Sequence, residues 1–390
     1  MTQRLVKSVL CLLLSMACLF GATACHVDGN SHPIQTVKIG VATYRSDDTF
    51  IAALCDDLER LSKDKEAETG KKIILNITDG KNSQSNQNDQ VDNFISQSYD
   101  VICVNMVDRT VAAVIIDKAK RADIPVIFFN REPVEEDIRM WNRAYYVGTD
   151  AKESGIMQGQ IILDAVQKNP EIDKNGDGKL QYVMLEGEQA HQDSLIRTEY
   201  SVKTITATGI QMEKLANDTA NWQRSLGSAK MLAWLDQFGD EIEVVLSNND
   251  DMALGAIDAL KERDMLENGP VVVGVDGTMS ALEAIQNGEM LGSVVNDAQI
   301  QAQAMLDIAC TLADGEDPQA TVQRMNGQYV RAPHRIVTQE NVQEEMDYLT
   351  QTEYNSKGPR MVLRGPFYGC PKGNVGGRAH RVLHSQTDSC

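Results

Sequence analysis

The chain alternates short apolar runs with segments of helical periodicity, and this alternation constrains its fold more than any other feature of the sequence. Eight apolar runs recur from about residue 35 onward: VKIGVATY, KIILNITD, DVICVNMV, PVIFFN, QYVMLEGE, EIEVVLSNND, PVVVGVDG and LGSVVND. Helical segments such as SLGSAKMLAWLDQF and MALGAIDALKERDM lie between them. Short apolar strands joined by helices form parallel sheets that are covered on both faces. The pattern therefore predicts an α/β fold with parallel sheets.

The length of the chain favours two such units. Its 390 residues are 42% apolar, which is enough for one large core or two ordinary ones. Because the second half repeats the rhythm of the first, we expect two domains.

The first 25 residues predict a secretory signal peptide. Arg4 and Lys7 precede an apolar run that is too short for a comfortable membrane span, and small residues follow up to Cys25. The string ATAC at residues 22–25 is also similar to the lipobox of bacterial lipoproteins, in which the cysteine is lipidated and becomes the mature N-terminus. We expect an exported, extracytoplasmic protein that is either lipid-anchored to the cell membrane through Cys25 or, after ordinary cleavage, periplasmic.

The charge of the chain argues against nucleic acid as a partner. The formal charge is −19, and loss of the two positive charges in the signal peptide makes it −21. Phosphate binding needs concentrated Lys and Arg. Only residues 356–390 are basic, with six Lys or Arg against one acidic residue and no periodicity. This composition predicts a disordered tail, to which we assign no function.

The cysteines do not indicate a metal or disulfide framework. There is no paired CxxC spacing, and three cysteines lie in the predicted signal peptide. Cys55, Cys103 and Cys310 fall at apolar positions of regular segments, so we expect them to be small buried hydrophobic residues.

Polar side chains follow five of the predicted strands at the point where each strand ends. In parallel sheets, ligands bind beyond the carboxyl ends of the strands. Any one of these residues could instead cap the helix that follows, which is the commoner role of Asp or Asn at that place. Their repetition favours a shared polar ligand site. The residues are Asp48, Asn105, Asn249 with Asp250, Asp276 and Asn296.

Two aromatic residues and one charged pair extend this candidate site. Phe50 and Trp222 follow strands and could stack on the apolar faces of a sugar, or could be ordinary core aromatics. His191 precedes Asp193 and Arg197, which stand four residues apart on one helical face. That spacing is also compatible with a simple ion pair.

The string IDKNGDGKLQYVML begins like a calcium loop. Asp173, Asn175 and Asp177 place side-chain oxygens at alternate positions, and Gly178 is the sixth residue, as in an EF-hand. The twelfth residue, however, is Met184 and not the usual Glu. The string therefore predicts either a calcium site whose last ligand lies elsewhere or a plain turn.

Over residues 37–348 the sequence resembles the periplasmic galactose/glucose-binding proteins of bacterial ABC sugar transporters. The resemblance rests on the strings YRSDDTF, NQNDQVDNF, VIFFNREP, AYYVGTDAKESGIMQG, IEVVLSNNDDMALGA, VVGVDG and VVNDA. It implies a type I periplasmic-binding-protein fold, in which two doubly wound lobes are joined by three crossing strands and a ligand cleft lies between them. The implied N-terminal lobe is 36–147 plus 297–331, and the C-terminal lobe is 148–296 plus 332–350.

The same resemblance implies two sets of ligand residues. The implied aldohexose site consists of Asp48, Phe50, Asn105, His191, Asp193, Arg197, Trp222, Asn249, Asp276 and Asn296. The implied structural Ca²⁺ site consists of Asp173, Asn175, Asp177, the Lys179 carbonyl, Gln181 and Glu243. In this family a distant Glu replaces the twelfth residue of an EF-hand, so Met184 no longer counts against calcium. Lys179 departs from the usual Gln, at a position that supplies only its carbonyl.

The implied function is capture of galactose or glucose by a monomer that delivers the sugar to an ABC permease and performs no catalysis. Presentation of the sugar to a chemoreceptor or sensor kinase, and binding of a different monosaccharide, remain alternatives. Paired carboxylates such as Asp48 and Asp276 would also suit a glycosidase, but nothing in the sequence positions a water or a leaving group. A sugar-responsive transcription factor is disfavoured, because no helix-turn-helix segment precedes VKIGVATY and a signal peptide is present.

Overall fold

A computed structural model describes residues 35–357, with side chains described up to residue 350. The predicted signal peptide, its Cys25, and the predicted tail from residue 358 onward lie outside the described residues. Among the helices that are described, none is long and apolar enough to cross a membrane.

The N-terminal lobe is built on a seven-stranded sheet with the order β11-β12-β5-β4-β3-β1-β2. Every residue of β3 and β4 is buried, as the continuous apolar runs predict for strands covered on both faces. The strands are β1 (Thr36–Thr43), β2 (Lys72–Asp79), β3 (Val101–Val104), β4 (Val126–Phe129), β5 (Ala144–Gly148), β11 (Met325–Asn326) and β12 (Tyr329–Arg331).

The C-terminal lobe is built on a six-stranded sheet with the order β13-β10-β9-β8-β6-β7. From β7 to β10 this order matches the order from β2 to β5 in the first sheet, so the two lobes share one topology. The strands are β6 (Lys179–Glu186), β7 (Gln211–Thr219), β8 (Val244–Ser247), β9 (Val271–Asp276), β10 (Gly292–Asn296) and β13 (His334–Thr338).

Helices cover both faces of each sheet. Those of the first lobe are α1 (Thr49–Thr69), α2 (Gln84–Ser96), α3 (Ala112–Ala122), α4 (Glu135–Ile138), α10 (Ala298–Ala313) and α11 (Pro318–Thr321). Those of the second lobe are α5 (Ala151–Lys168), α6 (Gln192–Thr206), α7 (Arg224–Phe238), α8 (Asp250–Glu262), α9 (Met279–Gln286) and α12 (Val342–Lys357). Each lobe has two apolar clusters, one on either face of its sheet. Cys103 and Cys310 are buried in the first lobe and Cys55 packs against the same cluster.

The chain passes between the lobes three times, by short connections that follow β5, β10 and β12. This arrangement confirms the predicted fold of two doubly wound lobes. The sheets differ from the prediction in one respect, because they are mixed and not wholly parallel. β12 pairs antiparallel with β11, and β13 pairs antiparallel with β10. Both antiparallel pairs lie at a sheet edge, where a mixed sheet commonly places them.

Candidate functional site

A pocket lies between the lobes at the carboxyl ends of the strands. In each sheet the strand order reverses at the first strand of the lobe, β1 or β6, and ligands of open α/β sheets bind at such switch points. The lobes face each other at these points, so one pocket receives side chains from both. It is lined by Tyr44, Asp48, Phe50, Asn130, Arg131, His191, Asp193, Arg197, Trp222, Asn249, Asp276 and Asn296.

Nine of the ten residues predicted for the sugar site line this pocket, and Asn105 does not. Asn105 is fully buried in the first lobe. Its Oδ1 accepts from the Tyr44 backbone N–H (3.3 Å), and its Nδ2 donates to the Phe129 carbonyl (3.2 Å) and Asn130 Oδ1 (3.1 Å). Asn105 therefore holds together the strand ends that form the wall of the pocket.

Sequence reasoning missed three lining residues: Tyr44, Asn130 and Arg131. Tyr44 follows β1, and the other two follow β4. The rule that singled out the other strand ends applies to them as well. The run PVIFFN ends in the polar Asn130, and Arg131 follows directly, so a polar strand end marks this place as well.

Asp48 and Asn249 are both helix caps and pocket residues. Asp48 Oδ1 accepts from the Ile51 N–H (3.0 Å) at the start of α1, and its Oδ2 accepts from the Tyr44 hydroxyl (2.5 Å). Asn249 Oδ1 accepts from the Met252 N–H (3.0 Å) at the start of α8. Capping uses one side-chain oxygen of each residue and fixes its rotamer, so the second polar atom is aimed reproducibly.

Tyr44 remains a hydrogen-bond donor at neutral pH. Burial and the neighbouring Asp48 carboxylate raise the pKa of its hydroxyl far above the usual value. The proton on Tyr44 therefore stays in the bond to Asp48.

The second lobe contributes a buried charged pair. Arg197 Nη2 lies 3.3 Å from Asp193 Oδ2, and Arg197 Nη1 donates to the Asn248 carbonyl (2.9 Å). Arg197 Nε is buried and has no hydrogen-bond partner among the described residues. Burial raises the pKa of Asp193 above its ordinary value, although Arg197 acts in the opposite direction. The pair predicted from the spacing thus exists, and it retains donor capacity inside the pocket.

His191 lines the pocket with an uncharged side chain. Its Nδ1 accepts from the Asp193 N–H (3.1 Å) and so caps α6. Burial, with Arg131 and Arg197 nearby, lowers the pKa of His191 well below its ordinary value of 6.5. Its ring meets the Trp222 ring edge to face, with centroids 5.1 Å apart.

Trp222 is held in place by the backbone around it. It adopts a left-handed conformation (φ 65°). A Cβ atom placed on Gly187 would lie 2.1 Å from the Trp222 ring, so only glycine leaves room for the indole at that position. The Trp222 carbonyl accepts from Asn249 Nδ2 (3.3 Å).

Asp276 stands at the end of β9 in a strained conformation. Its φ is 130°, which L-residues rarely adopt and which commonly marks functional sites. Its Oδ1 accepts from Asn296 Nδ2 (3.3 Å), and burial raises its pKa well above the ordinary value. Beneath it, the fully buried Asp250 accepts from the Thr278 N–H (2.8 Å) and the Ser293 hydroxyl (2.6 Å). Asp250 thus secures the turn that aims Asp276 and does not line the pocket itself.

The loop that begins at Asp173 is a tight turn. Asp173 Oδ1 accepts from the Gly176 N–H (2.8 Å), and its Oδ2 accepts from the Gly178 N–H (2.9 Å). Asn175 Oδ1 accepts from the Asp177 N–H (2.8 Å). Both glycines have positive φ, 69° and 78°, which explains their place in the sequence.

Glu243 reaches this loop from 62 residues beyond Gln181. Its two oxygens accept from the Lys174 N–H (2.7 Å) and the Gln181 N–H (3.0 Å), and the residue is 1% exposed. Gln181 Nε2 donates to Asp177 Oδ2 (3.0 Å). The Lys179 side chain pairs outward with Glu213 (2.9 Å). Within the described part of the chain, no three His, Cys, Asp or Glu side chains lie at metal-binding spacing, so calcium stays a prediction.

Comparison with known proteins identifies relatives over most of the chain. A family model described as periplasmic binding protein domain matches residues 39–317. The D-galactose/methyl-galactoside binding periplasmic protein MglB of Haemophilus influenzae is 41% identical over 307 residues, which are 78% of this chain and 90% of that protein. A putative rhizopine-binding protein of Rhizobium meliloti is 33% identical, over 80% of this chain and 92% of its own length.

A solved structure supports the same relationship. An ABC transporter solute-binding protein from Bacillus halodurans with bound myo-inositol superposes with a TM-score of 0.67 at 30% identity, over 81% of this chain and 99% of that one.

Proposed function

Because the chain belongs to the periplasmic binding protein family, we propose that it is an exported sugar-binding protein that captures D-galactose or D-glucose and delivers the sugar to an ABC permease. The observation that carries this proposal is the pocket, in which both lobes present hydrogen-bonding side chains and aromatic rings to one shared space. The proposal involves no catalysed reaction.

The chemistry of the pocket suits a neutral polyhydroxylated ring. Carboxylates such as Asp48 and Asp276 accept from hydroxyl groups, and Arg197 and Asn249 donate to hydroxyl or ring oxygens. Hydrogen bonds to charged groups are the stronger ones, worth about 1.5–3 kcal/mol each. The rings of Phe50 and Trp222 offer flat apolar surfaces for C–H groups of a sugar.

The pocket contains a buried carboxylate, Asp276, and a buried donor without a partner among the described residues, Arg197 Nε, to which a sugar would bond. The raised pKa of Asp276 reflects a carboxylate that burial has stripped of water. A hydroxyl that donates to it would favour the ionised form. The unpartnered Nε of Arg197 calls for an acceptor in the same way. A ligand that satisfies both lobes at once would favour the closed arrangement, because binding energy shifts the population toward the state that binds better.

Calorimetric titration of the mature protein with glucose, galactose, ribose and myo-inositol tests the proposal. We expect both aldohexoses to bind. Ribose should bind far more weakly, because a pentopyranose lacks the hydroxymethyl group and leaves pocket groups unpaired at about 1–3 kcal/mol each. Myo-inositol is included because one relative at 30% identity holds it. Preferential binding of ribose or myo-inositol would replace the aldohexose with a different ligand, and no binding of any of the four would refute the proposal.

The partner and the anchor are separate parts of the proposal. Delivery to a permease is the leading role, and presentation of the sugar to a chemoreceptor or sensor kinase is the alternative. We further propose that lipid on Cys25 tethers the protein to the membrane. Metabolic labelling with an alkyne fatty acid tests this, because Cys25→Ser should abolish the labelled band.

We also propose a structural calcium ion in the loop of residues 173–181, closed by Glu243. The donors are all oxygens, which suits Ca²⁺ and not a softer metal. Glu243 supports the proposal best. It is a buried carboxylate whose two oxygens accept from backbone N–H groups of the loop. When bound, the ion would add positive charge beside Glu243 and cross-link the loop to the start of β8.

A further inference from the structure

Arg131 of the first lobe bonds to Glu188 of the second across the pocket. The Nη2 atom of Arg131 lies 2.7 Å from Glu188 Oε2, and the two side chains are 5% and 15% exposed. We propose that this ion pair is a latch that forms when the lobes close, and that it raises affinity equally for every sugar the pocket accepts. The proposal rests on the proposed function only in that the ligand closes the lobes.

Arg131 is held by its own lobe before it meets the other. Its Nη1 donates to the Val107 carbonyl (3.1 Å). Its guanidinium lies 3.7 Å from the centre of the Tyr44 ring, a cation–π arrangement. Tyr44 is in turn bonded to Asp48, which caps α1. The guanidinium is therefore pre-positioned at the edge of the pocket, and little conformational entropy is lost when it binds a carboxylate.

The backbone at Glu188 is anchored within the second lobe. Its carbonyl accepts from the His191 N–H (3.0 Å), and the preceding Gly187 N–H donates to Asn248 Oδ1 (3.0 Å). Neither Arg131 nor Glu188 lies in a connection between the lobes, because these connections follow β5, β10 and β12. A rotation that separates the lobes by a few ångströms thus breaks the ion pair without altering either anchor.

The neighbouring charged side chains have partners of their own, which leaves Glu188 to pair with Arg131. Arg109 donates through Nε to the Glu132 carbonyl (2.9 Å), and the Glu132 carboxylate pairs with Arg331 (2.7 Å). His191 is neutral, since its pKa is lowered by burial first and by Arg131 second. Removal of either member of a nearly buried pair leaves an uncompensated charge in the closed state, whereas the open state hydrates it.

Arg131 also lines the pocket, and its Nε is buried without a partner among the described residues. It could therefore contact the ligand directly. Direct contact and latching differ in one measurable respect. A contact with the 4-hydroxyl would affect glucose and galactose differently, because the two sugars differ only there, whereas a latch multiplies the affinity of both by one factor.

Another contact between the lobes provides a control. Thr49 donates through Oγ1 to Asp251 Oδ2 (2.5 Å), across the cleft and on exposed surface. Thr49→Val removes an inter-lobe hydrogen bond of similar length without burying a charge. It should change affinity by less than about twofold, because exposed polar contacts contribute little.

The test compares Glu188→Gln, Arg131→Gln, the double variant and Thr49→Val in the mature protein. We expect each single variant of the pair to weaken glucose and galactose binding by the same factor of about tenfold or more, mainly through faster dissociation in stopped-flow measurements. The double variant should be no weaker than the poorer single variant. Circular dichroism and melting curves confirm that each variant is folded.

Small-angle X-ray scattering gives a readout that needs no sugar. Ligand-free wild type should have a smaller mean radius of gyration than ligand-free Glu188→Gln, because the latch favours closure. Factors that differ between glucose and galactose, additive losses in the double variant, or equal radii would overturn the latch. If neither sugar binds wild type but the radii differ, the proposed function fails and the latch stands.

Discussion

Replacement of Glu243 by Gln probes the predicted calcium loop from a position far from it in sequence. Glu243 is 1% exposed and both its oxygens accept backbone N–H groups, of Lys174 and Gln181. In the variant one oxygen becomes an NH₂ group that faces an N–H donor. This change alone should cost about 1–3 kcal/mol of stability, whether or not a metal binds. A lower melting temperature of the variant is therefore not diagnostic.

The diagnostic quantity is the change that a chelator causes. Ligand that binds only the native state stabilises it by about 2.7 kcal/mol at a hundredfold excess over its dissociation constant. For a unit of roughly 150–250 residues, 1 kcal/mol shifts the melting temperature by about 2–4 °C. EDTA should therefore lower the melting temperature of calcium-loaded wild type by about 5–10 °C, and that of Glu243→Gln by much less.

Differential scanning calorimetry with and without EDTA measures both shifts, and elemental analysis counts the calcium. Glu241→Gln is the matched control, because it makes the same chemical change two residues earlier on an exposed side chain. It should keep the full chelator shift. A wild type that contains no calcium and melts identically with EDTA would reduce residues 173–181 to a turn. Equal chelator shifts in wild type and Glu243→Gln would remove Glu243 from the ligand set.

Three further predictions concern the pocket. Asp276→Ala should abolish measurable glucose binding in calorimetry, because it removes a buried acceptor that Asn296 positions. Far-UV circular dichroism should stay unchanged, and normal glucose binding would place the site elsewhere. Gly187→Ala should weaken glucose binding at least tenfold, since its Cβ would collide with Trp222. Quenching of tryptophan fluorescence by glucose measures the loss, and unchanged quenching would contradict the role of the Trp222 ring. In NMR titrations His191 should take up its proton only below its ordinary pKa of 6.5, because burial lowers the folded pKa. The unfolded chain binds this proton first, so stability is full above pH 6.5 and is lost as the pH falls below it. His191→Asn should reduce this pH dependence of unfolding.

Several features of this protein follow from its sequence alone. Apolar runs separated by helical segments are sufficient to predict parallel sheets with helices on both faces, because strands such as β3 and β4 are buried along their whole length. The arrangement in two doubly wound lobes is implied by the family resemblance. The family resemblance agrees with relatives that are 41% and 33% identical, and the sugar-binding function agrees with the first of them, a D-galactose/methyl-galactoside binding protein. The two interpretations offered for Asp48 and Asn249 proved compatible, because each side chain has two polar atoms and the cap uses one.

Other features depend on the tertiary structure. The antiparallel pairing of β13 with β10 could not be read locally, since strands of either direction have the same two-residue period. Glu243 meets its loop because β6 and β8 are neighbours in the sheet. Arg131 and Glu188 are 57 positions apart in different lobes. Their contact exists only because the two lobes face each other, and no local pattern of residues encodes how two lobes meet.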